Sequence, residues 1–240
     1  GPFLSAAWFC DDPLIDHTRG LTMSKPYLTA RRLSANRWLV VAMVPLLALG
    51  LVMSNMAVAR VIAEPVDVSQ RLPHDASAFT QGFLIDDAGH WYESTGLYGH
   101  SAIRRNTPRT GRAITRRELK PRYFGEGLAR IDDRLYQLTW KSGRGFVYDR
   151  DTLQRIADFS YTGQGWGLAR CGNALVMSDG SDTLTFRDPT TFEITDRLPV
   201  RRGERAVGEL NELEVIHGMI WANQWHTNRL LIIDPGSGEV

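Results

Sequence analysis

The chain has 240 residues, with 28 Lys and Arg against 27 Asp and Glu, for a formal net charge of +1. That balance supplies no overall field to select nucleic acid or a strongly acidic substrate, and the length suits one sizeable domain with appendages. Twenty-two glycines and seven tryptophans suit a turn-rich β protein with aromatic anchors.

Residues 1–22 show no hydrophobic periodicity, and Met23 is a candidate start. From there the chain reads as a targeting segment. Arg31, Arg32 and Arg37 form a basic flank, Trp38–Met53 is a continuous apolar run containing Pro45, and Ala57-Val58-Ala59 offers small residues at signal-peptidase spacing. The uncharged span 38–59 is also long enough to cross a bilayer. Residues 23–62 are therefore expected to be a signal peptide or a membrane anchor. The basic flank puts the following domain outside the cytoplasm, in the periplasm or extracellular space, in either case. Cys10 lies upstream, so the exported domain is expected to hold Cys171 alone and no internal disulfide.

Residues 63–240 lack a convincing amphipathic helix. Short runs rich in Val, Ile, Leu, Tyr and Trp alternate with Gly, Asp and Asn, as strands and hairpins do. A polar turn closes an apolar run at Asn106, Asp149, Asp188 and Asp234, at roughly the forty-residue period of four-stranded propeller blades. Between these turns an x-Gly-apolar pattern recurs: Gln81-Gly82-Phe83, Glu126-Gly127-Leu128 and Trp166-Gly167-Leu168, with Asn211-Glu212-Leu213 in the fourth position. Each leads through a tight turn to a second strand, over Trp91–Ser94, Leu135–Trp140, Ala174–Ser178 and Met219–Trp225.

The fold class expected is all-β, a five-bladed β-propeller of which about four blades are present, C-terminally incomplete and either an open ring or part of a longer protein. Blades bring equivalent positions together around one channel. Gln81, Glu126, Trp166 and Asn211 share one position, and Trp140 and Trp225 share another, with Thr95 and Gly180 as their counterparts. The ring then carries one acid, two amides and three tryptophans. A carboxyl among amide donors and aromatic walls suits proton transfer with stabilisation of a developing oxyanion, and burial there raises its pKa. Ser and Cys171 lack a paired His, the six histidines lack metal-ligand spacing, and no glycine loop cradles phosphate. No basic-aromatic interleaving marks a nucleic-acid surface.

Several segments in order resemble the plant and bacterial type of glutaminyl cyclase, the glutamine cyclotransferase family. They are Pro73-His74-Asp75, Ala78–Gly82, Glu93–Gly99, Phe124–Leu128, Leu135–Gln137 with Trp140, Gly165–Leu168, Asn211–Glu214 and Trp221–Trp225. The resemblance implies a five-bladed propeller that cyclises N-terminal glutamine to pyroglutamate and releases ammonia, a metal-independent aminoacyltransferase. It implies catalytic roles for Glu126, Gln81 and Asn211, and substrate-binding roles for Phe79, Phe124, Trp140, Trp166 and Trp225. It implies no required cofactor; a structural calcium in the channel is not readable from the sequence. The expected partners are peptides or proteins with an N-terminal glutamine, a monomer is expected, and membrane contact comes only through the N-terminal segment. A lysine of the family's fifth blade has no counterpart before Val240. The alternative is an exported propeller that binds a ligand or protein without catalysis. A propeller lyase or lactonase would call for His or acidic clusters that the sequence lacks.

Overall fold

The structure, a computed structural model, describes Cys10, Pro65 and residues 67–240. Met23 and the export segment 23–62 lie outside the described residues, as does the leader 1–22 apart from Cys10. Among the described residues there is no helix, and none long and apolar enough to cross a membrane.

The described residues form three four-stranded antiparallel sheets, one three-stranded sheet and one two-stranded ribbon. The first blade comprises β1 (Thr80–Ile85), β2 (Trp91–Thr95), β3 (Ala102–Asn106) and β4 (Ala113–Glu118). The second holds β5 (Gly125–Ile131), β6 (Arg134–Thr139), β7 (Arg144–Asp149) and β8 (Arg155–Ser160). The third holds β9 (Leu168–Cys171), β10 (Ala174–Met177), β11 (Thr183–Arg187) and β12 (Ile194–Pro199). A two-stranded ribbon, β13 (Arg201–Arg202) and β14 (Arg205–Ala206), precedes the fourth blade of β15 (Leu210–Ile216), β16 (Met219–Gln224) and β17 (Arg229–Ile233). Strand order within each blade follows the chain, because short turns can join only antiparallel neighbours.

The first strand of each blade is innermost. β1 packs on β5, β5 on β9 and β9 on β15, and no comparable packing joins β15 to β1 among the described residues. The x-Gly-apolar glycines explain how close these strands come. A Cβ on Gly127 would sit 2.5 Å from the Trp166 carbonyl oxygen, and one on Gly167 only 2.1 Å from that of Asn211. Any side chain there would force the blades apart. Buried polar links tie the blades as well: Gln137 Nε2 donates to Ser94 Oγ at 2.7 Å, and Ser178 Oγ donates to the Asn211 carbonyl at 2.6 Å. The apolar core lies between sheets, with Tyr92, Leu128 and Phe146 grouped between the first two blades and Leu184, Phe186 and Leu213 between the last two.

Three of the four turn markers behave as their chemistry requires. Asp149, Asp188 and Asp234 each accept backbone N–H groups two or three residues on. Asn106 does not; it is buried and its Nδ2 donates to Glu93 Oε2 at 2.7 Å. The expectation of a lone thiol also fails. Cys10 is buried in the core of the last two blades and forms a disulfide with Cys171, 161 residues away. Pairing at that separation leaves no local trace in the sequence.

Candidate active site

The inner strands begin at the site, and their ladders are broken there. In β1 the register shifts between Thr80 and Gly82, in β5 between Gly125 and Leu128, and in β15 between Leu210 and Leu213. Gln81, Glu126 and Asn211 therefore fall at interruptions, and Trp166 lies just before β9 begins. A bulge re-aims a side chain that regular pairing would commit to one face. Interrupted pairing thus frees Gln81, Glu126 and Asn211 to line the channel mouth, where Trp166 joins them.

Together with Phe79, Phe124, Trp140 and Trp225, these four residues line one cavity of about 190 Å³. Trp140 and Trp225 enter through a shared backbone contact. The Trp140 N–H donates to the Phe124 carbonyl at 3.0 Å and the Trp225 N–H to that of Glu209 at 2.8 Å. In the first blade the Gly96 N–H makes the same bond to Phe79 at 2.8 Å. Their counterpart there is thus Gly96, not Thr95, because the β1–β2 hairpin, counted from the shared position, is one residue longer than the β5–β6 and β15–β16 hairpins. A Cβ on Gly96 would lie 2.3 Å from the Phe124 ring, so the absence of a side chain makes room for that wall.

The walls are aromatic. The rings of Trp166 and Trp225 meet edge to face at 5.2 Å, and Phe124 packs against Trp140 at 5.6 Å and Phe79 at 6.1 Å. Lys141 Nζ sits 3.8 Å above the Trp140 ring. Trp166 Nε1 donates to Gln164 Oε1 at 3.1 Å, which fixes its indole.

Glu126 is 4 % exposed, and Gln81 Nε2 donates to its Oε2 at 2.7 Å. Burial pushes its pKa up to about 8, and the Gln81 hydrogen bond only partly opposes this. One residue past Asn211, Glu212 stands where the other blades carry Gly, with both carboxyl oxygens enclosed. Burial first, and then the charges of Glu214 and Glu126, push its pKa well above the usual range. Burial therefore raises the pKa of both carboxyls, that of Glu126 to about 8.

Sequence reasoning missed what holds the Phe79–Gln81 wall. Glu93, fully buried on β2, accepts from Arg104 Nη2 at 2.7 Å and Nε at 3.0 Å, from Asn106, and from Thr80 Oγ1, and meets His74 Nε2 at 3.0 Å. Arg104 Nη1 continues to Asp75 Oδ2 at 2.8 Å. This network clamps residues 74–80 to the first blade. Burial would raise the Glu93 pKa, but the Thr80, Arg104 and Asn106 hydrogen bonds outweigh it and hold it low.

Blades converging on a buried carboxyl inside an aromatic pocket define a β-propeller with an enclosed acid at its channel mouth. The chain belongs to the glutamine cyclotransferase family, whose model matches residues 41–240. It is 42 % identical over 176 residues to a glutaminyl-peptide cyclotransferase of Arabidopsis thaliana, covering 73 % of its own length. It spans 55 % of the length of that curated relative. The crystal structure of Myxococcus xanthus glutaminyl cyclase superposes with a TM-score of 0.66 at 38 % identity, covering 70 % of the present protein and 71 % of that one.

Proposed function

We propose that the site cyclises the N-terminal glutamine of peptides or proteins to pyroglutamate and releases ammonia. The observation that carries this reading is Glu126: an almost fully buried acid held by Gln81 in an aromatic cavity, in a protein of the glutamine cyclotransferase family.

The reaction is intramolecular. The free α-amine attacks the Cδ of its own glutamine amide, a new N–Cδ bond forms, and the Cδ–Nε2 bond breaks. The cavity's main contribution is to hold the folded-back geometry in which these atoms meet. Ionised Glu126 takes a proton from the attacking amine and returns it to the leaving nitrogen, which departs as ammonia. Asn211 and Gln81 carry amide groups suited to hold the carbonyl oxygen as it gains charge. Phe79, Phe124, Trp140, Trp166 and Trp225 enclose the terminal residue and exclude water that would yield glutamate instead. Proton transfer and positioning are assigned to side chains alone, so turnover of a Gln-initiated peptide, followed by mass loss of ammonia, is expected to be insensitive to chelator. Absence of ammonia loss at any pH, or hydrolysis to glutamate in its place, would overturn the reading.

The pKa near 8 has a kinetic consequence. Below it Glu126 is protonated and cannot act as the initial base. The value of kcat is therefore expected to rise about tenfold per pH unit up to about 8 and then level. A kcat independent of pH between 6 and 8 would show that Glu126 does not start the reaction as the base.

We also infer export directed by residues 23–62. A disulfide cannot span a bilayer, and cleavage after Ala59 removes Cys10. Thiol titration of the denatured, unreduced protein is expected to find Cys171 alone in a cleaved form, and both Cys10 and Cys171 in an anchored form that keeps residue 10. It finds none where the Cys10–Cys171 bond is formed and both residues are kept.

A further inference from the structure

The turn between β2 and β3 borders the site wall, yet none of its residues lines the cavity itself. It is held firmly. The Gly96 N–H donates to the Phe79 carbonyl at 2.8 Å, the His100 N–H to the Leu97 carbonyl at 3.0 Å, and the Gly99 N–H to the Pro121 carbonyl at 3.1 Å. Ser101 Oγ donates to the Leu97 carbonyl at 2.8 Å and accepts from the Gly125 N–H at 3.0 Å, the residue beside Glu126. The turn is thus bonded to both segments that supply the acid and its Gln81 partner.

What this turn displays is unusual for its position. Leu97 has φ 78°, a left-handed conformation that a branched residue adopts only at a cost. Leu97 and Tyr98 are 42 % and 52 % exposed, next to Phe79 at 49 %. The Tyr98 ring meets Phe124, a cavity wall, edge to face at 5.4 Å. A strained turn fixed by five hydrogen bonds therefore holds apolar surface outward, continuous with the aromatic wall of the pocket. Relaxed packing would favour covering that surface. Strain retained at the edge of a site points to use.

The occupant follows from the proposed reaction. The terminal glutamine fills the cavity, so the following residue must leave across the rim. We propose that Tyr98 and Leu97, with Phe79, form a subsite for the side group of the residue after the N-terminal glutamine, and that this subsite selects aromatic or branched aliphatic groups. The proposal rests on the reading of the pocket given above. Tyr98 and Leu97 act in specificity, and the chemistry stays with Glu126.

The test compares kcat/KM of the full-length protein for Gln-Phe-Ala, Gln-Leu-Ala and Gln-Gly-Ala. The first two are expected to exceed the third by about tenfold, the size of effect one apolar group makes in an open pocket, with the difference carried by KM. Tyr98→Ala is expected to reduce the Phe-to-Gly ratio to within about twofold, and Tyr98→Phe to restore it. Leu97→Gly, which suits the backbone at φ 78° and so favours folding, is expected to lower the Leu-to-Gly ratio. A wild-type ratio near one, or a ratio unchanged in Tyr98→Ala, overturns the proposal. If no Gln peptide turns over, the cyclase reading fails separately. The subsite is then decided by calorimetric titration with pyroglutamyl-Phe-Ala and pyroglutamyl-Gly-Ala. Tighter binding of the first, lost in Tyr98→Ala, supports the subsite; equal affinities overturn it.

Discussion

Replacing Glu126 by Gln is expected to lower kcat for a Gln-initiated peptide by about 100- to 10,000-fold, the usual contribution of a positioned acid/base, while the protein becomes more stable at alkaline pH. The substituted amide has the same shape, and its oxygen can still accept the Gln81 Nε2 hydrogen bond that measures 2.7 Å in the wild type. The stability effect has a definite sign. The Glu126 pKa is raised from 4.5 to about 8, so between those values the folded protein holds a proton that the unfolded protein has shed. Stability from this group is therefore fully present below pH 4.5, declines as pH rises through that window, and is lost above about 8. Each tenfold displacement of a proton-binding equilibrium corresponds to about 1.4 kcal/mol. Glu212 shifts in the same direction in both proteins, but the part of its shift that comes from the Glu126 charge is lost in the variant. The difference between their denaturation curves therefore reports Glu126 together with its coupling to Glu212. Urea melts at pH 4 and pH 9 should agree at the first and separate at the second. Substantial residual cyclisation in Glu126→Gln would remove this residue from the mechanism.

Glu93→Ala is expected to be the most damaging substitution outside the cavity, destabilising the fold by about 3–5 kcal/mol, as the loss of one partner of a buried ion pair does. Arg104 is 2 % exposed and makes two of its hydrogen bonds to Glu93. Without that carboxylate, Asp75, itself partly exposed, is the remaining anion beside the guanidinium. For a domain of this size the loss lowers Tm by roughly 10 °C. Because Glu93 also receives Thr80 and His74, its removal frees the segment that delivers Phe79 and Gln81 to the pocket. KM should therefore rise in whatever fraction stays folded. A Glu93→Ala protein with unchanged Tm and KM would show that the network neither supports the blade nor positions the wall. The pH dependence has the opposite sense to that of Glu126. The Glu93 pKa is held low, so its contribution is present above the unfolded carboxylate range and is lost as pH falls.

These two carboxylates show how differently residues can be read from a linear polymer. Glu126 sits between two glycines in a segment that recurs four times, and its importance follows from the recurrence. Glu93 sits in Trp-Tyr-Glu-Ser-Thr, the second strand of its blade, where no recurrence sets the acid apart. Its partners lie 11 to 19 residues away, beyond any local signal. Asn106 is legible as a turn residue from its position, but its amide points inward to Glu93 instead.

The order of residues is enough to establish the class of fold, the forty-residue period and the four equivalent positions that meet at the channel. Turn chemistry, strand alternation and repeat spacing are local properties, and symmetry converts equal spacing into convergence. How the side chains come to face the cavity emerges only on folding, through ladder breaks at the same point in three inner strands. So do the exchange of Thr95 for Gly96, the Glu93 clamp, the Cys10–Cys171 bond and the exposed Leu97–Tyr98 rim. Each depends on register or on contacts between distant residues. A one-residue shift reverses which face a residue presents, and burial changes what a charge costs, while neither alters the pattern of residue types along the sequence.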